Sequence, residues 1–493
     1  MMKKLMMTMM LVTSTGCLQL HAADDLPTLK VQGNQLVDEN GKAVVLHGVM
    51  DTPSPYFNGN RWGNHTGDDM TEKCIEYFDK LFTAMTDHKQ GAYCTVFRLH
   101  LDPCWTNAQG ASSGYWHYKD NQGNYVTGEA DNSNFSESLF KKYLESLYVP
   151  IIKKAISHGL YVVVRPPGVC PSDLDVQDAT ILGTKKTYQQ YLKQVWWMFA
   201  QNEYVQQHSG QISIELANEP VRITDNGKYT DNAMTSYFQP IVNLLRTNSK
   251  TKGFTGIIWV PGMVWQQEYK GYAKFPVSDP YNNLGYAVHW YPGWYSSCGG
   301  KNMNVRKEYV MKKFLESVPV AKTSPIIITE IDWSPYNMDG TPHKDEQGNE
   351  VYPNFGTWAT SYTSSFGQEY KYVHDQLGNL SMTLSGTATY LDIDQYLKNR
   401  RVTPAFNGME EACGKACFDW YKDWYEQQYG SGTNGIETIA NDADVIQITY
   451  YNMQGMQVDK PQRGVYILKQ LLNNGKVRVT SKSVWIRHRS SLV

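Results

Sequence analysis

The chain carries eight short apolar runs rich in Val, Ile and Leu, and longer segments separate them. The runs cover residues 44–49, 94–101, 161–167, 212–219, 256–262, 284–291, 325–332 and 381–388. Two intervening segments, 139–159 and 187–204, repeat apolar residues at three- and four-residue steps, which predicts amphipathic helices. Alternating strands and helices predict an α/β fold, a parallel sheet closed into a (β/α)8 TIM barrel. No Gly-rich phosphate turn follows the first run, which argues against a dinucleotide-binding fold.

The segments beside this pattern predict smaller units. Asn40-Gly41 lies between two apolar runs, which predicts a two-residue β-hairpin turn at the bottom of the barrel. A Gly- and Ser-rich linker is expected at 429–435, after a barrel domain over 26–428. Apolar runs in the last segment, with Asn474-Gly475 as another turn, predict a small all-β C-terminal module over 436–493, with strands at 445–452, 464–471 and 476–482.

The N-terminal residues predict a processing signal. Lys3 and Lys4 precede a short apolar stretch, and small residues stand before Asp24, so residues 1–22 are expected to be a signal peptide. Cys17 leaves open a lipoprotein anchor as the alternative. The protein is therefore expected to be secreted, to the periplasm, the cell surface or the medium.

Composition excludes several classes of partner. The 46 Lys and Arg residues against 48 Asp and Glu give a net charge of −2, which argues against nucleic-acid binding. No run after the signal approaches the ~20 apolar residues of a membrane span. Cys413 and Cys417 lie four apart in a predicted helix without further ligand spacing, so we expect helix packing and no metal. The expected protein is a monomer that needs no cofactor and has 34 Tyr and 14 Trp residues available for amphipathic ligands such as sugars.

Polar and aromatic residues stand where the predicted strands end, which is where barrel enzymes carry their reactive groups. Glu219 and Glu330 end the fourth and seventh runs. Hydrolysis of a glycoside needs such a pair, because one carboxylic acid protonates the leaving oxygen and one carboxylate attacks or activates water. The surrounding strand ends contribute Arg98, His100, Arg165, Asn218, Trp265, His289, Tyr291 and Asp332.

Three segments, IELANEP (214–220), AVHWYPGW (287–294) and IIITEIDW (326–333), resemble the cellulase-type members of glycoside hydrolase family five. The resemblance covers roughly residues 30–428. It implies a retaining hydrolase of β-1,4-linked polysaccharide, with Glu219 as the acid/base and Glu330 as the nucleophile. It further implies a sugar contact by Asn218 and a fixed charge beside Glu330 from Arg98. His289 and Tyr291 match the His-x-Tyr of the sixth strand, in which the Tyr orients and stabilises the nucleophile.

The implied roles set physical requirements. Glu330 must be ionised at neutral pH, whereas Glu219 must be protonated and hence less solvated. A separation of about 5 Å between the two carboxyl groups goes with retention, and one nearer 8 Å with inversion. The resemblance implies retention.

The sequence also departs from the family. The third strand commonly ends in a sugar-binding His, but here Arg165 stands in the run 164–168, and His100 is a candidate replacement. The eighth strand commonly presents a Trp, but 384–390 offers only Tyr390. Glu215 is expected to be a buried partner of Arg98 or Arg165. The substrate therefore stays open: an endo-β-1,4-glucanase is predicted, with a β-mannanase, a xyloglucanase or a non-catalytic glycan-binding barrel as alternatives.

Several Trp residues are candidates for stacking on sugar rings. Trp265 and Trp294 are favoured because they fall just beyond strand ends, and Trp105, Trp116, Trp290 and Trp333 are equally consistent with packing. In the tail, residues 450–468 resemble the C-terminal sorting modules of secreted proteins from Bacteroidetes-type bacteria, which implies a role in export.

Overall fold

The computed structural model describes residues 26–108, 117–119, 125–128, 130–179, 182, 185–295, 303–333, 343–344, 350–351, 364–405, 407, 413–430, 445–451, 457–458, 464–472 and 477–484. The chain divides after Gln428 into two units, which are described separately. The predicted signal peptide at 1–22, with Cys17, and residues 431–435 of the predicted linker lie outside the described residues.

The first unit is built around a closed barrel of eight parallel strands, so the predicted TIM barrel is confirmed. Its strands in chain order are β1 (Lys30–Gln32), β2 (Gln35–Val37), β3 (Ala43–Val44), β4 (His47–Asp51), β5 (Val96–His100), β6 (His117–Lys119), β7 (Tyr125–Thr127), β8 (Tyr161–Arg165), β9 (Asp173–Asp175), β10 (Ile212–Glu215), β11 (Arg222–Thr224), β12 (Ile258–Pro261), β13 (Leu284–His289), β14 (Ile326–Ile331), β15 (His343–Lys344), β16 (Glu350–Val351) and β17 (Leu380–Leu384). The barrel order is β4-β5-β8-β10-β12-β13-β14-β17, and β17 pairs with β4 to close it.

Helices follow the barrel strands along the chain. They are α1 (Asp68–Met85), α2 (Pro103–Thr106), α3 (Glu137–Tyr143), α4 (Val149–Ser157), α5 (Tyr188–Ala200), α6 (Glu203–Gln207), α7 (Ala233–Thr247), α8 (Lys270–Lys274), α9 (Met303–Ser317), α10 (Ser364–Leu377), α11 (Thr387–Tyr390), α12 (Ile393–Asn399) and α13 (Cys413–Tyr429), with 3-10 turns at His88–Gln90 and Pro319–Lys322. The helix predicted at 139–159 is α3 and α4, joined by a π turn at Leu144–Tyr148. The one predicted at 187–204 is α5, which begins with a capping box between Thr187 and Gln190.

Side chains alternate between the outside and the inside of the barrel along each strand. On β5, the ring of Phe97 packs against Phe78 and Phe82 of α1. Arg98 and His100 lie on the opposite face of the strand and are also fully buried. The inside of the barrel therefore holds charged groups at its carboxyl end, each requiring a partner.

The predicted hairpin at the bottom of the barrel is confirmed, with a longer turn than predicted. Strands β2 and β3 pair antiparallel around the loop 38–42, in which Gly41 has a left-handed φ of 78°. A two-residue turn does not form because the Asp38 carboxylate accepts the N–H groups of Asn40 and Lys42. An apolar cluster joins this hairpin to the starts of barrel strands: Leu29, Leu36, Val44, Leu46, Val96, Tyr161, Val163, Ile257, Trp259, Ala287 and Ile327.

The second unit contains an antiparallel sheet. Its strands are β18 (Val445–Tyr451), β19 (Gln457–Val458), β20 (Gly464–Leu472) and β21 (Val477–Val484), in the order β19-β18-β20-β21. The three strands predicted in the tail are thus confirmed, and the predicted turn at Asn474-Gly475 lies outside the described residues.

Two further observations concern the described part of the chain. Six cysteines there are free thiols, namely Cys74, Cys94, Cys104, Cys170, Cys413 and Cys417, and the last two are buried in α13 as the predicted packing requires. None of the helices described is both long and apolar enough to cross a membrane.

Candidate active site

The polar residues at the strand ends converge at the carboxyl end of the barrel. Arg98 ends β5, Arg165 ends β8, and Glu215 ends β10. From the other side, His289 ends β13 and Glu330 lies near the end of β14. All five are almost fully buried. Parallel strands carry their carboxyl ends to one face, so the eight segments of sequence build one site.

The two predicted catalytic carboxylates lie close together. One oxygen of Glu219, one oxygen of Glu330 and a ring nitrogen of His289 all lie within 4.8 Å of one another. The Glu219 side chain is 23% exposed, whereas that of Glu330 is 9% exposed. Both carboxylates can therefore reach the same bond of a bound molecule. The expectation that Glu219 is less solvated than Glu330 is wrong, because the turn that carries Glu219 leaves its side chain the more open of the two.

Cations and hydroxyl donors surround Glu330. Its Oε1 atom accepts from Arg98 Nη1 at 2.8 Å and lies 3.5 Å from Arg165 Nη1. Its Oε2 atom accepts from the Tyr291 hydroxyl at 2.9 Å and lies 3.4 Å from His289 Nδ1. Burial by itself raises the pKa of Glu330, but the charges of His289, Arg98 and Arg165 outweigh it and lower that pKa to about 2. Glu330 is therefore ionised at neutral pH, which is the state that a nucleophile requires.

Glu219 is held by its backbone as well as its side chain. Its φ of 56° is in the left-handed region, where a residue with a Cβ atom is strained by about 1–2 kcal/mol. The Glu219 N–H donates to Gln266 Oε1 at 2.7 Å, and Oε1 of Glu219 lies 3.0 Å from His289 Nδ1. These contacts fix the turn that carries the carboxylate into the site.

Glu215 is a buried partner of Arg98, as predicted. Arg98 Nε donates to one Glu215 oxygen at 2.6 Å and Arg98 Nη2 donates to the other at 3.0 Å. Thr329 and Gln266 also donate to Glu215. Arg98 Nη2 in addition donates to Asn218 Oδ1 at 2.8 Å, which leaves the Asn218 amide nitrogen for another acceptor.

Two residues of the site were not predicted from the sequence. Gln266 is fully buried and contacts Glu219, Glu215 and the Ala287 carbonyl. The Ser385 hydroxyl, just beyond β17, lies 3.0 Å from the Tyr291 hydroxyl. The signal available for Gln266 was its position beyond a strand end, beside the predicted Trp265.

The predicted aromatic residues divide into two groups. Trp265 is 46% exposed, and Trp294 is partly exposed with its ring centroid 5.3 Å from that of Tyr291, so both are available at the rim of the site. The other described candidates, Trp105, Trp290 and Trp333, are almost fully buried against other aromatic rings. Trp116 lies outside the described residues.

The residues at the two departures from the family pattern are buried. His100 lies fully buried with its Nδ1 atom 3.6 Å from Asp102. Burial, and then the charges of Arg165 and Arg98, lower the pKa of His100 well below its usual value. Tyr390 packs against Phe418 and so does not line the site, where β17 contributes Ser385 instead.

A small cleft of about 50 Å³ lies between the loops that follow the first and eighth barrel strands. Ser385 lines it and also contacts Tyr291, so the cleft adjoins the carboxylate site. Polar groups in its wall include Asp51, Asn58 and Arg61, none of which the sequence analysis singled out.

The donor atoms of Glu219, His289 and Glu330 are also near enough together to share a metal ion. Two guanidinium groups beside Glu330 oppose a further cation there, and the Tyr291 hydroxyl already occupies the second oxygen. The arrangement fits proton transfer and nucleophilic attack better than metal binding.

Comparison with known proteins follows this geometry. The sequence model of one family, described as Cellulase (glycosyl hydrolase family 5), matches residues 82–363. No curated protein matches the chain. Among solved structures, β-glucanase SdGluc5_26A from Saccharophagus degradans is 16% identical and covers 82% of this chain and 94% of its own, with a TM-score of 0.48. A β-mannanase from Streptomyces thermolilacinus is 14% identical and covers 73% of this chain and 85% of its own, with a TM-score of 0.39.

Proposed function

The chain belongs to glycosyl hydrolase family 5, and we propose that it is a retaining endo-β-1,4-glycanase of the endoglucanase type. Family membership makes it a glycoside hydrolase that acts on O-glycosyl bonds of a polysaccharide. The proposal adds the linkage, the stereochemistry and the residue roles to that statement.

The separation of the two carboxylates carries the proposal of retention. Oxygens of Glu219 and Glu330 lie within 4.8 Å of each other. An inverting enzyme keeps its carboxyl groups roughly 6.5–9.5 Å apart to leave room for a water molecule, whereas a retaining enzyme keeps them about 5–5.5 Å apart. The observed spacing supports a covalent intermediate on Glu330.

The mechanism has two displacements. In the first, Glu330 attacks the anomeric carbon as Glu219 protonates the departing glycosidic oxygen, so the C–O bond breaks and a glycosyl ester forms. In the second, Glu219 removes a proton from water, which attacks the same carbon and releases Glu330 as a carboxylate. Arg98 and Tyr291 each donate a hydrogen bond to one of the two Glu330 oxygens. The Asn218 amide nitrogen, whose side-chain oxygen already accepts from Arg98, is left to bind a sugar hydroxyl.

A plant β-1,4-glucan is the substrate that we propose first. A β-mannanase or xyloglucanase is the second candidate because the third strand ends in Arg165 where the family commonly has a sugar-binding His, and the segment 384–390 after the eighth strand contains no Trp. These positions lie beside the nucleophile, where a change of side chain alters sugar selection. A glycan-binding barrel without activity is disfavoured because Glu219 and Glu330 are both present and adjacent.

Secretion belongs to the same proposal. Residues 1–22 have the pattern of a signal peptide, and the tail resembles sorting modules, which fits an enzyme whose polymeric substrate lies outside the cell. N-terminal sequencing of the exported protein tests this, because a mature chain that begins near Asp24 is expected and a chain that retains Met1 contradicts it.

The test of the activity is reducing-sugar release from carboxymethylcellulose, mixed-linkage glucan, xyloglucan, glucomannan and xylan. Release from a glucan by the wild type is expected, with loss in Glu330→Gln and retention in Glu76→Gln, a glutamate exposed on α1. Proton NMR of the first product should show the β-anomer before mutarotation. Initial release of the α-anomer would contradict retention, and release only from glucomannan would favour the mannanase.

A further inference from the structure

Arg165 stands beside the nucleophile at the end of β8, and we propose that its guanidinium is a positioning residue that supplies the second counter-charge of Glu330. The inference rests on the proposed function, in which Glu330 is the nucleophile. Arg165 occupies the strand end where the family commonly carries a sugar-binding His, so the residue is a feature of this chain.

The charge of Arg98 is largely committed to another carboxylate. Arg98 forms two hydrogen bonds with Glu215, at 2.6 and 3.0 Å, and one with Glu330, at 2.8 Å. All three side chains are buried. One guanidinium carries one charge and cannot neutralise two buried carboxylates, and an uncompensated buried charge is strongly unfavourable. A second cation is therefore required beside Glu330.

Arg165 is the group that meets this requirement. Its Nη1 atom lies 3.5 Å from Glu330 Oε1, the same oxygen that Arg98 contacts. Its Nη2 atom donates to the Gly168 carbonyl at 3.4 Å, and its buried Nε has no partner among the described residues. Glu330 is the carboxylate that lies within 4 Å of Arg165 in the described part of the chain. Two guanidinium groups and two carboxylates then form a neutral buried set.

The other titratable groups around this set do not replace Arg165. His289, at the end of β13, lies within 4 Å of three carboxylates, those of Glu330, Glu219 and Glu215, so its single ring cannot compensate Glu330 alone. The Tyr291 hydroxyl is a neutral donor. On the β5 side, burial and then the neighbouring arginines lower the pKa of His100, so it adds no charge. Asp102, 3.6 Å from His100, accepts hydrogen bonds from Thr52 and Cys104.

Asp332 follows β14 and is also buried beside the site. The low pKa of Glu330 agrees with the geometry. Burial raises this pKa, and the charges of His289, Arg98 and Arg165 together lower it by more.

The second counter-charge acts differently in the two displacements. When Glu330 becomes a glycosyl ester its negative charge is lost, and Arg165 then faces a neutral group. The attack of water restores the carboxylate and its ion pair with Arg165. Arg165 thus stabilises the resting nucleophile and favours the second step.

The first experiment compares pH profiles of kcat/KM for the wild type, Arg165→Gln and Arg165→Lys on the polymer that the wild type cleaves. Because the neutral variant lacks the counter-charge, we expect its acid limb to move up by at least one pH unit, which is about a tenfold loss on that limb. KM should change little, and Arg165→Lys should keep the wild-type limb. Coincident profiles for Arg165→Gln and the wild type would overturn the proposal, as would an equal displacement in Arg165→Lys.

The second experiment does not need activity, so it separates this inference from the proposed function. Thermal unfolding is measured for Arg165→Gln, Glu330→Gln and the double variant. We expect Arg165→Gln to lower Tm at most half as much in the Glu330→Gln background as in the wild type. Arg246→Gln is the matched control, because Arg246 is equally buried but pairs with Asp279. It should lower Tm equally in both backgrounds.

Additive effects of Arg165→Gln and Glu330→Gln would overturn the proposal even if the enzyme is active. If Arg165→Gln does not fold, Arg165→Met, which keeps the apolar stem, takes its place in both experiments. If both neutral variants fail to fold and Arg165→Lys folds, the positive charge at position 165 is needed for folding of the barrel rather than for positioning the nucleophile. This outcome equally overturns the proposal. An inactive wild type with coupled Tm changes would reject the proposed function alone.

Discussion

Glu330 and Glu219 differ in their surroundings although both lie at the carboxyl end of the barrel. Glu330 is buried among Arg98, Arg165 and His289, and its pKa is lowered to about 2. Glu219 stands on a left-handed turn with nearly a quarter of its side chain exposed. This difference in environment, rather than in chemistry, distinguishes the proposed nucleophile from the proposed acid/base.

The lowered pKa of Glu330 predicts part of the acid sensitivity of the fold. A carboxylate whose folded pKa lies below its unfolded value of about 4.3 adds stability above that value and loses it as the pH falls toward 2. Between pH 5 and pH 3 the wild type should lose about 1.5 kcal/mol through this group. Urea unfolding at both pH values should show that this part of the loss is absent in Glu330→Gln. An equal pH dependence of the free energy of unfolding in the wild type and Glu330→Gln would contradict this prediction.

The role of Glu219 predicts chemical rescue. Glu219→Ala should lose about 10²–10⁴-fold in kcat on the polymer, because the leaving oxygen is no longer protonated. On an aryl glycoside with an acidic phenol the first displacement needs no acid, so the covalent intermediate should accumulate. Azide should then restore turnover and give a β-glycosyl azide. Formation of an α-glycosyl azide, or no rescue, would argue against the assigned role.

The sequence predicts some site residues better than others, for reasons that lie in backbone geometry. Arg98 and Glu215 were predictable because they lie inside strands, where every second side chain lies on the same face. Glu330 was predictable as an acid near a strand end, but alternation does not fix its face, because the pairing of β14 shifts after Ile328 and both Thr329 and Glu330 contact the buried charged groups. Gln266 was not predictable because its φ of 61° belongs to an irregular turn without a period. The exposed Trp265 beside it was the residue chosen instead.

At the scale of the element, the turn after β12 holds the turn after β10. Val264, Trp265 and Gln266 all have positive φ, and three such angles in a row are unusual for residues with a Cβ atom. The Val264 and Trp265 N–H groups donate to the carbonyls of Val221 and Pro220, directly after Glu219. Strain of this kind persists where its surroundings hold it, and it clusters at functional sites.

Gln266 joins these two turns, so its replacement should reduce catalysis. In Gln266→Leu the Glu219 N–H loses its acceptor and Glu215 loses a donor, at a cost of about 1–3 kcal/mol. We expect kcat to fall about tenfold or more with a smaller change in KM, measured by reducing-sugar release. Gln239→Leu is the control, because Gln239 also bonds backbone groups but lies half-buried on α7, where it contacts none of the site residues named above. Equal losses in the two variants would contradict a positioning role.

Strand ends show the limit of prediction at this scale. The fourth apolar run extends through residue 219, but β10 ends at Glu215, and the chain then turns inward to place Asn218 and Glu219. Apolar residues continue past the strand because both sides of the turn are buried. Hydrophobicity therefore locates an element but does not fix its last residue.

For the whole molecule, the order of eight strands and the bottom hairpin were predictable because each rests on local periodicity and short connections. The loops at the carboxyl end were not, since their paths depend on contacts between distant segments. The ion pair of Arg61 with Asp394, which joins the loop after β4 to helix α12, is an example.

The division of the chain predicts a tolerated truncation. All site residues lie before Gln428, and the Tyr421 hydroxyl of α13 donates to the Gly48 carbonyl of the first barrel strand. A chain that ends at Gly430 should therefore keep kcat/KM and Tm close to those of the full chain. A chain that ends at residue 412 lacks α13 and should unfold at a lower temperature. Lost hydrolysis in the chain that ends at Gly430, with wild-type Tm, would show that the C-terminal unit takes part in activity.

The neutral set of Arg98, Arg165, Glu215 and Glu330 lies inside the barrel, and these side chains are at most 9% exposed. Dissolved ions screen charges at the surface but reach buried pairs far less. The state of the nucleophile is consequently insulated from the ionic strength of the medium. The ionisation of Glu330 should therefore be the same in dilute buffer and in concentrated salt.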